Sequence, residues 1–127
     1  MKSFAKSLYT AEADDMNELE ERVIRAVASL DNVRWWHRNR ERKEFCINGF
    51  INHYPDFLVM MESGVLLLVE TKGDDRDNAD SRRKLFLGKT WETKAGSDKY
   101  GYFMVFDKVP MEGALSVDEF MARVRKM

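Results

Sequence analysis

Three side chains in this sequence have types and spacing suited to hydrolysis of a phosphate ester: Asp56, Glu70 and Lys72. Asp56 opens the apolar run Phe57-Leu58-Val59, and Glu70 and Lys72 close a second run that begins at Val65. Glu70 and Lys72 are two residues apart on a strand-like segment, so both point to the same side. Between the runs lies Glu62-Ser63-Gly64, a short Gly-containing loop of the kind that closes a β-hairpin. If Met61 and Val65 close that loop, counting back sets Asp56 opposite Glu70. Two facing carboxylates repel, and burial raises the penalty unless something neutralises them. A divalent cation does so, and oxygen ligands with open water positions suit Mg²⁺. Lys72 then stands where it can hold a nucleophilic water or a scissile phosphate. Taken singly, Glu-x-Lys reads as a surface ion pair and Pro55-Asp56 as a turn. Two apolar strands that bring them face to face favour the chemical reading.

The elements that must position these residues follow from pattern. Asn17-Glu18-Leu19-Glu20 has the form of a helix start, Asn17 capping and Glu20 answering three residues on. Leu19, Val23, Ala26, Val27 and Leu30 keep helical spacing, so 17–30 is predicted helical up to Asp31-Asn32. Residues 3–10 read as a short leading helix or arm. Val33–Arg38 reads as a strand, 39–43 as a charged turn and 44–51 as a second strand, leading into the Asp56 hairpin as an antiparallel meander. Neighbouring strand residues alternate faces, so one of Trp35 and Trp36 packs under the helix and the other lies opposite. Residues 74–80 read as a polar, mobile loop beside the site. A helix over 81–93 and a strand over 100–106 parallel to 65–71 come next, as a crossover after a buried strand requires. Ser116-Val117-Asp118-Glu119 predicts a capping box for a last helix, 117–125. The fold class is α/β: a central mixed sheet, an antiparallel meander plus a parallel strand, flanked by helices.

Composition bounds the rest. At 127 residues with 44% apolar content, three Trp and eight Phe, the chain is one globular domain, 1–127. It has no membrane-length apolar run and no signal-peptide core near Met1, so the expected location is cytoplasmic. The single Cys46 has no partner for a disulfide and no zinc spacing with His37 or His53, and it reads as a buried structural thiol. His37 and His53 read as half-buried polar residues, with phosphate contact as the functional alternative. The absence of a G-x-x-x-x-G-K-[ST] loop leaves no ATP site of that kind. Net charge is −1, yet its distribution is uneven. Residues 12–21 hold six acids and no base, whereas 34–43 and 82–99 are dominated by Arg and Lys. A basic face beside an acidic site is compatible with nucleic acid.

Pro55-Asp56…Glu70-Thr71-Lys72 resembles the PD-(D/E)xK motif of restriction-endonuclease-like nucleases. With Asn17-Glu18-Leu19-Glu20, Trp35-Trp36-His37-Arg38-Asn39, Tyr54-Pro55-Asp56-Phe57, Val69-Glu70-Thr71-Lys72-Gly73 and Lys84…Gly88-Lys89…Trp91, most of the chain is similar to the C-terminal nuclease domain of the restriction subunit of type III restriction–modification enzymes. The resemblance implies a restriction-endonuclease-like core and metal-dependent hydrolysis of DNA. Asp56 and Glu70 would ligate Mg²⁺, with Mn²⁺ able to substitute, and the Thr71 carbonyl would be an extra ligand. Lys72 would be the catalytic lysine, and Glu20 the helix glutamate that approaches the metal. Arg38, Arg40, Lys84 and Lys89 are the candidate DNA contacts. The implied partners are DNA, an ATP-dependent translocase from which the domain is excised or with which it acts, a modification subunit, and a second copy for double-strand cleavage. The alternatives are a non-catalytic DNA-binding or docking module with the same fold, and a dimeric nuclease for branched DNA.

Overall fold

A computed structural model of the chain describes residues 5–7, 16–39, 45–49 and 52–127. Helix α1 spans Glu18–Ala28, and its start is the expected capping box: the Asn17 side chain accepts from Glu20 N at 2.8 Å, and Glu20 Oε1 accepts from Asn17 N at 3.0 Å. Val23, Ile24, Val27 and Ala28 form its buried stripe. A turn at Asp31-Asn32 reverses the chain into β1, Val33–Arg38. Further along come β2 (Ile47–Asn48), β3 (Asn52–His53), β4 (Phe57–Met61) and β5 (Leu66–Lys72). Helix α2 (Ala79–Ala95), β6 (Tyr100–Phe106), β7 (Leu115–Ser116) and α3 (Val117–Arg125) complete the order. The five-stranded sheet runs β1-β4-β5-β6-β7. Its first two pairings are antiparallel and its last two parallel.

The meander differs from the sequence expectation. Strand β1 pairs with β4, and the chain between them folds aside as a separate two-stranded ribbon, β2-β3. Asn39 accounts for the diversion. Its Nδ2 donates to Phe45 O at 2.7 Å and to Pro55 O at 2.9 Å, its Oδ1 accepts from Phe45 N at 3.0 Å, and its backbone N–H donates to Asp56 O at 2.8 Å. One buried amide thus ties off both ends of the excursion and delivers β1 directly onto β4.

Side-chain alternation sorts the core into two layers. Phe57, Val59, Met61, Leu67, Val69, Phe103 and Val105 face α1 and α3, and Trp36 lies with them, edge-on to Phe57. Leu68, Tyr102, Met104 and Phe106 pack on the other face, with Leu85 and Leu87 of α2 and Ile47 of the ribbon. Trp36 is fully buried under α1 and Trp35 is half-buried at the neighbouring, opposite-facing position, as alternation requires. Cys46 is half-buried rather than buried, with Sγ 3.5 Å from Asn48 Oδ1.

Helix α2 lies close over β6 because Gly88 has no side chain. A Cβ there would come within 2.4 Å of Tyr102 Cε1 and Cζ, a collision with a fully buried ring. Gly88→Ala is therefore expected to destabilise the fold by about 1–3 kcal/mol, the cost of overpacking a rigid core. Chemical denaturation checks this; an unchanged midpoint would mean that α2 lifts off freely.

The open edge of β6 is covered by the same helix. Lys89 Nζ donates to Tyr102 O at 2.7 Å, and Tyr102 N donates to Glu92 Oε2 at 2.6 Å. These bonds occupy backbone groups that an unpaired edge would offer to another strand.

Candidate active site

The register is the one the loop predicted. Met61 N donates to Val65 O at 2.9 Å, Gly64 takes the left-handed conformation (φ 93°) in the turn, and Phe57 pairs with Val69. One step further sets Asp56 opposite Glu70. Both belong to the even-numbered face that α2 covers, as does Lys72.

Asp56 is held from one side: its Oδ2 accepts from Thr71 N at 2.7 Å and from Thr71 Oγ1 at 2.8 Å. Loss of water on burial raises its pKa, against the two Thr71 donors and nearby Lys72, which lower it. Glu70 is 5% exposed. Its Oε2 lies 3.4 Å from Lys72 Nζ, while its Oε1 is buried without a hydrogen-bond partner. Burial pushes the Glu70 carboxyl well above its ordinary range, and the Asp56 charge pushes it further, outweighing Lys72 and Lys84. A buried acceptor left unmatched costs about 1–3 kcal/mol.

That arrangement fits a hard cation. Among the described residues no three or more His, Cys, Asp and Glu side chains gather as a metal-holding set. Mg²⁺, however, is commonly held through one or two carboxylates and keeps several waters. Asp56 and Glu70 supply two oxygen-donor groups, with one Glu70 oxygen uncommitted.

Of the residues singled out from sequence, Asp56, Glu70, Thr71, Lys72 and Lys84 come together. Thr71 contributes its N–H and hydroxyl to orienting Asp56. Lys84, on α2, has its Nζ 3.3 Å from Asp80 Oδ2 and acts electrostatically on Glu70. Arg38 ends β1 opposite Phe57, next to Asp56. Lys89 is committed to the β6 edge and to Glu92, 3.5 Å away, so its described contacts are structural. Glu20 accepts from the α1 cap, on the helix that covers the odd-numbered face. Arg40 lies outside the described residues, as does most of the expected arm over 3–10. The 74–80 loop is more anchored than its composition suggests. Asp74–Arg76 is a 3₁₀ turn, and Asp74 Oδ1 accepts from Lys108 N at 3.0 Å and Val109 N at 3.1 Å, which draws its pKa down.

Sequence reasoning did not find Tyr102. Its hydroxyl meets His53 Nε2 at 2.6 Å, and both side chains are buried. The His53 pKa falls to about 3, through burial first and then the charges of Lys84 and Lys72. Burial, with Glu70 and Asp56 adding to it, raises the Tyr102 pKa well above its ordinary value. Both groups are thus neutral and share one hydrogen bond, its direction set by the imidazole tautomer. The only sequence signal was the even-position alternation Tyr102, Met104, Phe106.

This pair makes an acid-stability prediction. A depressed folded pKa stabilises the fold above the unfolded value of 6.5, and that contribution is lost as pH falls toward about 3. The slope is up to about 1.4 kcal/mol per pH unit. His53→Gln removes this proton uptake, so wild type should lose stability relative to the variant between pH 6.5 and 4 in paired urea melts. Parallel curves would show that His53 titrates normally.

Comparisons with protein-family models, with curated proteins and with solved structures gave no match. No helix among the described residues is long and apolar enough to cross a membrane.

Proposed function

We propose that this chain is a divalent-metal-dependent deoxyribonuclease domain with a restriction-endonuclease-like core, acting as the nuclease of a type III-like restriction system. One observation carries the reading: the buried, unpartnered Glu70 Oε1, on a carboxylate that faces Asp56 and is paired with Lys72. A structural ion pair needs no second carboxylate and leaves no orphan acceptor. Asp56 and Glu70 would hold the cation, which when bound polarises a phosphate and supplies hydroxide near neutral pH.

The remaining roles belong to the protein's own groups. Thr71 fixes one Asp56 oxygen through two donors, so the carboxylate cannot rotate away. Lys72, mostly buried against Glu70, aligns the attacking water and stabilises charge that develops on the phosphate oxygens. A net charge of −1 supports weak intrinsic DNA affinity, so delivery falls to a translocating partner in the cytoplasm. Two sites, from two copies brought together, would complete a double-strand break.

A supercoiled-plasmid assay at rising protein concentration, with Mg²⁺ and with chelator, tests the proposal. Metal-dependent nicking without sequence preference, fading steeply with salt, is expected. Absence of nicking at any Mg²⁺ concentration overturns the activity, and efficient cutting at one sequence by a monomer overturns the dependence on delivery.

A further inference from the structure

Lys84 is the cation that α2 brings to the cluster, and its surroundings are unlike those of an ordinary helix lysine. Residues 73–78 connect the Glu70–Lys72 end of β5 directly to the first turn of α2, so this turn stands over the same end of the sheet. The Lys84 side chain is 25% exposed, whereas that of Asp80, one turn earlier, is 55% exposed. Asp80 also attracts Arg83, at 3.9 Å. Burial opposes the charge on Lys84, and Glu70 and Asp80 restore it. Beneath it, His53 stays uncharged, which removes the cation that would otherwise repel two converging lysines. Two ammonium groups therefore act on one buried carboxylate, Lys72 from 3.4 Å and Lys84 through its field. One, Lys72, is fixed on a central strand; the other is tethered by an exposed pair across a helical turn, an interaction that water and salt weaken.

We propose that Lys84 is a second phosphate-holding cation of this site, and that Asp80 is a latch that occupies its ammonium until a DNA backbone phosphate displaces it. The inference rests on the reading that the chain acts on DNA. It divides the labour: Lys72 serves the reacting phosphate, Lys84 a neighbouring one, and Asp80 sets how readily the strand is gripped. A backbone phosphate carries the same single negative charge as Asp80, and contact with it also releases counterions condensed on the DNA.

The test is binding of a short fluorescein-labelled duplex without divalent metal, followed by anisotropy over a salt series. Lys84→Gln keeps the first two methylenes of the stem and removes the charge, and melting curves check its fold. It should weaken binding on the order of tenfold near 0.1 M salt and lower the log–log salt slope by about 0.9, the signature of one lost phosphate contact. Asp80→Asn, at an exposed position, should tighten binding severalfold, and that gain should vanish in the Lys84→Gln background. Wild-type affinity and slope in Lys84→Gln would overturn the proposal. So would Asp80→Asn tightening binding equally in both backgrounds, which marks a diffuse charge effect. Metal-dependent nicking together with either of those results leaves the nuclease standing and removes the latch. The coupled binding pattern without nicking establishes the grip and removes the nuclease.

Discussion

Asp56→Asn and Glu70→Gln should each abolish cleavage, by on the order of 10³-fold or more, while leaving the fold as stable as wild type or more so. Loss of activity follows from removing half of a two-carboxylate cation site, where charge stabilisation is usually the largest catalytic contribution. The stability gain follows from the folded state. Glu70 is buried, its Oε1 is unmatched, and its pKa is raised by burial and by Asp56. A raised folded pKa favours folding below the unfolded value of 4.5, and that contribution is lost as pH climbs through the folded value. At neutral pH the metal-free wild type therefore carries a penalty, about 1 kcal/mol or more for a buried, repelled carboxylate. Gln removes the charge, so Glu70→Gln should melt above wild type at pH 7.5 and lose that advantage near pH 4. Unfolding of the variant at neutral pH would make the pair a structural one.

Lys72→Ala should keep the fold and most of the cation affinity but lose at least about 10²-fold in rate at saturating metal and DNA, the scale for removing a donor aimed at developing charge. Its ammonium is mostly buried 3.4 Å from Glu70 Oε2, so removal also leaves Glu70 less compensated. A variant that loses the cation yet turns over normally once metal is forced to saturation would reassign Lys72 to holding Glu70.

What was legible in the sequence was local or counted. The capping boxes at Asn17 and Ser116 are signals that span four residues, and both appear where they were read. The register that opposes Asp56 to Glu70 follows from a loop length and strand period, so counting sufficed. The parallel β6 follows from a crossover through α2. The misread parts depend on contacts that span the chain. Asn39 was one polar residue in a charged turn until its amide met Phe45 and Pro55, and only that bond turns the next strand into a ribbon. His53 and Tyr102 are 49 residues apart. Lys89, a candidate phosphate contact, also has a structural partner that no sequence shows, the open β6 edge at Tyr102. Asp74 looked like part of a free loop because its partners, the Lys108 and Val109 amides, follow the neighbouring strand β6, 34 and 35 residues on.

A nuclease of this kind requires that the Asp56–Glu70 pair hold a cation. Isothermal titration of Mg²⁺ into wild type and Glu70→Gln, in two buffers of different ionisation enthalpy, tests this directly. The expected result is saturable binding of at least one Mg²⁺ per wild-type chain, tightening as pH rises, with proton release that makes the apparent heat buffer-dependent. Deprotonating a carboxyl whose pKa is raised is the source of those protons. Glu70→Gln should bind at least tenfold more weakly and release fewer protons. Equal binding by both proteins, or none by either, would show that the Asp56–Glu70 pair is not a cation site.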